Sequence, residues 1–220
     1  MRKILVACEE SQAITKAFRK LGYNAYSCDL LPASGGHPEW HIQGDAIAEA
    51  YSGKYDMMIA HPPCTYLSVA GAWAMYKKDE NGNKVINEVR KKNQTEALDF
   101  VRELMNAPIE HIAIENPVSV ISSQIRKPDQ IVHPYHFGDK ASKSTCLWLK
   151  NLPKLEPTDI VEKGEFKEWI DKKSGKKKRQ ATWIYECLQK AENKEHLRTL
   201  RSKTFQGMAD AIADQWSKVL

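Results

Sequence analysis

Two hundred and twenty residues with 42% hydrophobic content can bury a sizeable core, which excludes a disordered or fibrous chain. A formal net charge of +5 admits a polyanionic partner such as nucleic acid without requiring one. Five cysteines (Cys8, Cys28, Cys64, Cys146, Cys187), odd in number and never in a C-x-x-C pair, argue against a disulfide framework and a zinc site, and fit a reducing cytoplasm.

The chain opens on "MRKILVACEE", whose apolar run is far too short for a signal peptide or a membrane span. "KILVAC" predicts a strand, and "EESQAITKAFRKLGY" a helix with Ile14, Phe18 and Leu21 at helical spacing and Gly22 at its end. "NAYSCDLLP" reads as a second strand ending in Asp29, and "HIQGDAIAEA" sets Asp45 in a turn before a short helix. "YDMMIAHPPC" is a strand that stops at Pro62, because consecutive prolines cannot continue a central ladder.

Residues 69–88 form a polar segment expected to be a mobile loop. The stretch "EVRKKNQTEALDFVRELMNA" predicts an amphipathic helix with Val89, Ala97, Leu98, Val101 and Leu104 largely on one face. "HIAIENP" is a short buried strand ending at Glu115, Asn116 and Pro117, and "STCLWLKNL" a further strand. From Pro153 the chain turns charged, with "FKEWID" and "RQATWIY" as two strands around the tip "KKSGKKK" and Trp169 and Trp183 on the stem. A closing helix over "RSKTFQGMADAIADQWSKVL" spaces Met208, Ile212, Trp216 and Val219 helically. Strands alternating with helices imply an α/β fold with a mostly parallel, doubly wound sheet.

Ligands in such sheets sit at the carboxyl ends of the strands, near the switch in strand order. Glu9, Asp29, Asp45, Cys64 and Glu115 all fall at strand ends. A free thiol with a pKa of about 8.5 must be activated before it serves as a nucleophile. Glu115 on a neighbouring strand is the group to protonate an electrophile while the Cys64 thiolate adds to it. Asp29 suits a ribose diol and Asp45 an exocyclic amine. Residues 5–16, "LVACEESQAITK", hold no glycine, so the first turn disfavours pyrophosphate and a nucleoside cofactor without phosphates fits better.

The order "DLLP", "GDA", "PPCTYLS", "IENP" and "TFQGMADAIADQW" resembles the DNA (cytosine-5) methyltransferase family, in particular its short bacteriophage and prophage members. The resemblance covers most of the chain except residues 154–190. It implies a Rossmann-like, S-adenosylmethionine-dependent methyltransferase fold: a catalytic, cofactor-binding domain over 1–153, a reduced target-recognition insertion over 154–190, and a helix returning over 191–220. Cys64 would add to carbon 6 of a flipped cytosine in DNA, so that carbon 5 accepts the methyl group. Glu115 would hold or protonate ring nitrogen 3, Asn116 would stiffen its strand end, and Pro62 and Pro63 would set the cysteine loop's angle. Residues 69–88 match the segment that closes over the base.

The resemblance places the cofactor against Cys8, Glu9, Ser11, Asp29, Leu30, Asp45, Ala46 and Pro62, with Met208 and Ala209 beside its methionine part. Two departures stand out: "ACEES" replaces the family's glycine-rich first motif, and "KASKSTCLWL" replaces its arginine-containing strand, leaving Lys143 or Thr145 for the arginine's role. No metal and no membrane enters this reading, the location implied is the cytoplasm of a bacterial host, and the oligomeric state is open.

Blander roles stand beside these. The "KKSGKKKR" run is either a solvated loop or a contact to phosphates. Trp169 and Trp183 read first as core residues of the insertion, and His133 and His136 as structural; His61 has no assigned role. The rival functions are the same cysteine addition on a free pyrimidine nucleotide or RNA, and a catalytically idle DNA-binding protein.

Overall fold

In the computed structural model, which describes residues 2–220, strands and helices alternate along most of the chain. In order they are β1 (Lys3–Ala7), α1 (Ala13–Lys20), β2 (Asn24–Asp29), β3 (His41–Gln43), α2 (Ala46–Ala50), β4 (Met57–Ala60), β5 (Tyr76–Lys78), β6 (Lys84–Ile86), α3 (Glu88–Met105), β7 (His111–Pro117), α4 (Ile121–Gln124), β8 (Gln130–Val132) and β9 (Thr145–Lys150). After them come β10 (Phe166–Ile170), β11 (Lys177–Ala181), α5 (Thr182–Lys190), α6 (Lys194–Ser202) and α7 (Gln206–Trp216).

Seven strands form one sheet in the order β3-β2-β1-β4-β7-β9-β8. Pairing is parallel from β3 through β7, and β9 runs antiparallel to both β7 and β8. The fold is therefore the Rossmann-like, mostly parallel doubly wound α/β class that the sequence implies. Its strand order reverses between β1 and β4, which opens a crevice at the carboxyl ends of those two strands.

Side-chain alternation along the central strands sorts the core into two layers. Ile4, Val6, Met57, Ile59 and Ala113 face α1 and α7, while Leu5, Ala7, Met58, Ala60, Ile112 and Ile114 face α2 and α3. Strands buried on both faces read as continuous apolar runs, and this is why "KILVA" and "MMIA" are legible without alternation. On α1, Ile14 and Phe18 are fully buried, each contributing about 1.5–3 kcal/mol by withdrawing apolar surface from water. On α7, Met208, Ile212 and Trp216 pack in the same layer. In the first turn of that helix Gly207 approaches the carbonyl of Phe137 so closely that an added Cβ would clash with its oxygen.

The structure corrects several expectations. Leu21, Val89 and Val219 are exposed: Leu21 follows the last turn of α1, Val89 lies in the first turn of α3 ahead of its buried stripe, and Val219 sits in a 3-10 turn beyond α7. The second arm of the basic hairpin is β11, and "TWIY" starts α5 instead of continuing a strand. Trp183 therefore leaves the stem; it packs edge-on against Phe205 and donates its indole N–H to the carbonyl of Ser142. Trp169 remains on β10 but is 40% exposed, so it is no core residue. Residues 69–88 hold a 3-10 helix (Val69–Met75) and the β5–β6 hairpin, and the closing segment splits into α6 and α7. No helix among the described residues is long and apolar enough to cross a membrane.

Candidate active site

The register between β4 and β7 builds the centre. Ala60 pairs with Ile114, so the next residues of each strand, His61 and Glu115, come side by side just past the β4 ladder. Alternation turns both toward the face that carries α1 and α7. There His61 Nδ1 lies 2.8 Å from Glu115 Oε2, with 12% and 11% of the two side chains exposed.

The prolines then end the strand. Pro62 is buried, and its carbonyl accepts from Asn116 Nδ2 at 2.8 Å; Pro63 and Cys64 are exposed at the rim. Further along, the backbone is tied to the segment after β7: Val120 N donates to Leu67 O, Val69 N donates to Val118 O, and Ser68 bridges to Ser119. Cys64 is thus carried on a loop stitched at both ends to the strand bearing Glu115 and its continuation. Ser68 begins the following 3-10 helix by accepting from Ala70 N.

Electrostatics around this loop are dense. Burial pushes the Glu115 carboxyl up, but the His61 hydrogen bond and charge, with Lys143, outweigh it and hold the group below its ordinary value. Burial pulls the His61 imidazole down, and Glu115 and Glu9 more than reverse this, so its pKa is raised. Surrounding protein and then the Glu115 charge push the Cys64 thiol up, while Lys143 and Arg201 oppose them. Four buried polar atoms lack a partner among the described residues in this neighbourhood: His61 Nε2, Asn116 Oδ1, Ser119 Oγ and Thr145 Oγ1.

The turn after β1 takes a different form from a glycine loop. Cys8 and Gln12 adopt left-handed backbone at φ 59° and 58°, a conformation that costs an ordinary residue about 1–2 kcal/mol. Buried Glu9 secures the turn: Oε1 accepts from Ile14 N, and Oε2 from Thr15 N and Thr15 Oγ1. A side-chain carboxylate therefore sits where the start of α1 offers its unpaired N–H groups. Burial raises the Glu9 carboxyl's pKa against these bonds and His61, and raises the Cys8 thiol to about 12. Gln12 ties the next loop by exchanging hydrogen bonds with the backbone of His37. Ser11 lines a polar cavity of about 250 Å³ with Lys16, Ser34, Lys203, Thr204 and Gln206.

Asp29 ends β2, where its Oδ1 accepts from Leu31 N, and the adjacent Leu30 is 75% exposed. Asp45 caps α2 by accepting from Ile47 N, with Ala46 buried behind it. Gly44 N to Asp29 O joins the two turns. All these residues lie along one edge of the sheet. Met208 and Ala209 do not share that edge's surface, since both are buried between α7 and the sheet. Lys143 is half-buried and donates to the carbonyl of Arg201 at 3.3 Å; the side chain hydrogen-bonded to Glu115 is His61.

His61 is the site residue that sequence reasoning leaves without a role, since its partner lies 54 positions away and no local pattern marks it. The available signal is the apolar strand "MMIA" running directly into a histidine before "PPC".

No family model and no curated protein matches the chain. Among solved structures, it is similar to a triple mutant of Spodoptera frugiperda DNMT2 at 14% identity and a TM-score of 0.42, over 74% of this chain and 58% of that one. It is also similar to a candidate DNA modification methyltransferase encoded within an E. coli prophage, at 11% identity and a TM-score of 0.43, over 86% and 64% of the two chains. The chain thus spans less than two thirds of either neighbour's length.

Proposed function

We propose that the chain is an S-adenosylmethionine-dependent DNA cytosine-5 methyltransferase. One observation carries the reading: an exposed cysteine, fixed to the strand bearing a buried glutamate by the Asn116–Pro62 bond, at the crevice where strand order reverses. Thiol and carboxyl approaching from two strand ends suit addition to a polarised ring, with the nucleophile at one atom and the proton at another.

In that addition the Cys64 thiol gives up its proton to water, Lys143 and Arg201 being the charges that favour the thiolate against burial and Glu115, and the sulfur forms a bond to carbon 6 of cytosine. Glu115 meets ring nitrogen 3, and carbon 5 becomes electron-rich. Loss of the carbon-5 proton after methylation expels the thiolate. Because carbon 6 is out of reach in a stacked duplex, the base must leave the helix. The segment 69–88 follows directly on the Cys64 loop in the chain and carries exposed Trp73 and Tyr76.

S-adenosylmethionine would supply the electrophilic methyl group. The donor set fits its nucleoside half: Asp29 keeps Oδ2 for a ribose hydroxyl, exposed Leu30 would offer an apolar face for a purine, and Asp45, whose Oδ1 caps α2, keeps Oδ2 for an exocyclic amine. Glu9 has both oxygens occupied by α1, so its part is to shape the turn. The β10–β11 hairpin, with Lys172, Lys173 and Lys176 at its tip, is assigned to DNA phosphates within a reduced target-recognition segment, 154–190. Transfer of a labelled methyl group to DNA, with digestion to 5-methylcytosine, tests the reaction; unlabelled DNA across varied sequences contradicts it.

A further inference from the structure

The carboxyl at the centre of the site has a partner supplied by the cysteine loop itself. His61 and Glu115 are adjacent in register at the ends of β4 and β7, their contact is 2.8 Å, and both are almost wholly withdrawn from water. The charged or titratable groups that act on the pair are Glu9 after β1, Lys143 before β9, Cys146 on β9 and Cys64 on the loop after β4. Glu9 acts on His61 by its charge, while both of its oxygens accept hydrogen bonds from the start of α1.

Resting on the methyltransferase reading, we propose that His61 is a positioning residue for Glu115, which fixes Oε2 so that Oε1 meets the cytosine, and stores the proton that Glu115 delivers to ring nitrogen 3. A carboxylate flanked only by Lys143 would be held in its ionised form, with nothing to give. A histidine sharing a proton with it in a dry pocket keeps one available near neutral pH.

In the addition step a lone pair of the Cys64 thiolate forms the bond to carbon 6, the carbon 5–carbon 6 π pair moves to carbon 4–carbon 5, and the carbon 4–nitrogen 3 π pair takes the proton. The His61–Glu115 pair is left one proton poorer, as neutral imidazole beside carboxylate. When the thiolate is expelled, nitrogen 3 returns the proton and the pair is restored. Removing His61 therefore slows the chemical step while leaving DNA binding intact.

Two measurements on the full chain test this. In an NMR titration, His61 should titrate above the ordinary histidine value of about 6.5 and fall by at least about one unit in Glu115→Gln. In His61→Gln, kcat should drop by about tenfold or more with KM for DNA within about twofold, and the alkaline limb of the kcat–pH profile should move. A His61 titration unchanged in Glu115→Gln overturns the pairing. A His61→Gln enzyme with wild-type kcat, or with an unshifted pH profile and a loss that tracks its lower melting temperature, overturns the proton role. Failure of the wild type to form any covalent adduct with DNA sinks the underlying reading instead, and is seen before either variant is made.

Discussion

Asn116 Nδ2 donates to the carbonyl of Pro62 at 2.8 Å, a buried bond between segments 54 residues apart. It couples the angle of the cysteine loop to the strand that carries Glu115, so the spacing of the proposed nucleophile and acid is held by a side-chain-to-backbone bond between their two segments. Asn116→Ala leaves the Pro62 carbonyl buried without its donor, which costs about 1–3 kcal/mol. Thermal denaturation should show that drop in stability, and the rate of methyl transfer should fall by more than it does in an exposed control such as Lys92→Ala.

Asp56 ties the start of β4 to the start of β1, accepting from Lys3 N and Arg2 Nη1, both at 2.8 Å. The Lys3 N–H and then Arg2 hold its carboxyl below the ordinary carboxylate value. A carboxyl with a lowered folded-state pKa stabilises the fold above its unfolded value, and the gain disappears as pH falls through the folded value. Asp56→Asn should therefore melt about 2–4 °C lower than wild type at neutral pH, for a deficit of about 1 kcal/mol. The gap should close as the pH drops below about 3.9.

At the hairpin tip, Lys177 pairs with Glu168 and Lys178 with Asp171, while Lys172, Lys173 and Lys176 have no ion-pair partner among the described residues. If these three meet phosphates, replacing all of them by Gln should weaken DNA binding at low salt. The slope of log K against log salt should flatten by up to about 2.7, or about 0.9 for each phosphate left without its lysine. Measuring affinity at several salt concentrations separates this from a change in base recognition, which would leave the slope alone.

The legible part of the fold is the part with a strong apolar pattern. β1, β4, β7 and β9 are runs buried on both faces, and α1 and α7 carry clear stripes, so the strand ends next to Cys64 and Glu115 follow from pattern alone. The three-residue strands β3 and β8 lie at the sheet's edges and are too short and too polar for a period to show. "TWIY" is rich in β-branched and aromatic residues yet is helical, because Trp183 finds its partners in Phe205 and Ser142, remote in sequence. The same limit hides the His61–Glu115 pair: strand register creates it. The glycine-free first turn reads as a departure in sequence, and only the structure shows how Glu9 and two left-handed residues replace the missing glycines.

The proposed chemistry turns on a covalent bond between Cys64 and cytosine. In DNA that carries 5-fluorocytosine, the carbon-5 substituent cannot leave, so incubation with the purified chain and S-adenosylmethionine traps the adduct. The expected result is a denaturation-resistant protein–DNA complex that is absent with Cys64→Ala, an exposed position whose truncation leaves the fold intact. A complex that persists in Cys64→Ala, or wild-type methylation of cytosine with no trapped complex, would contradict it.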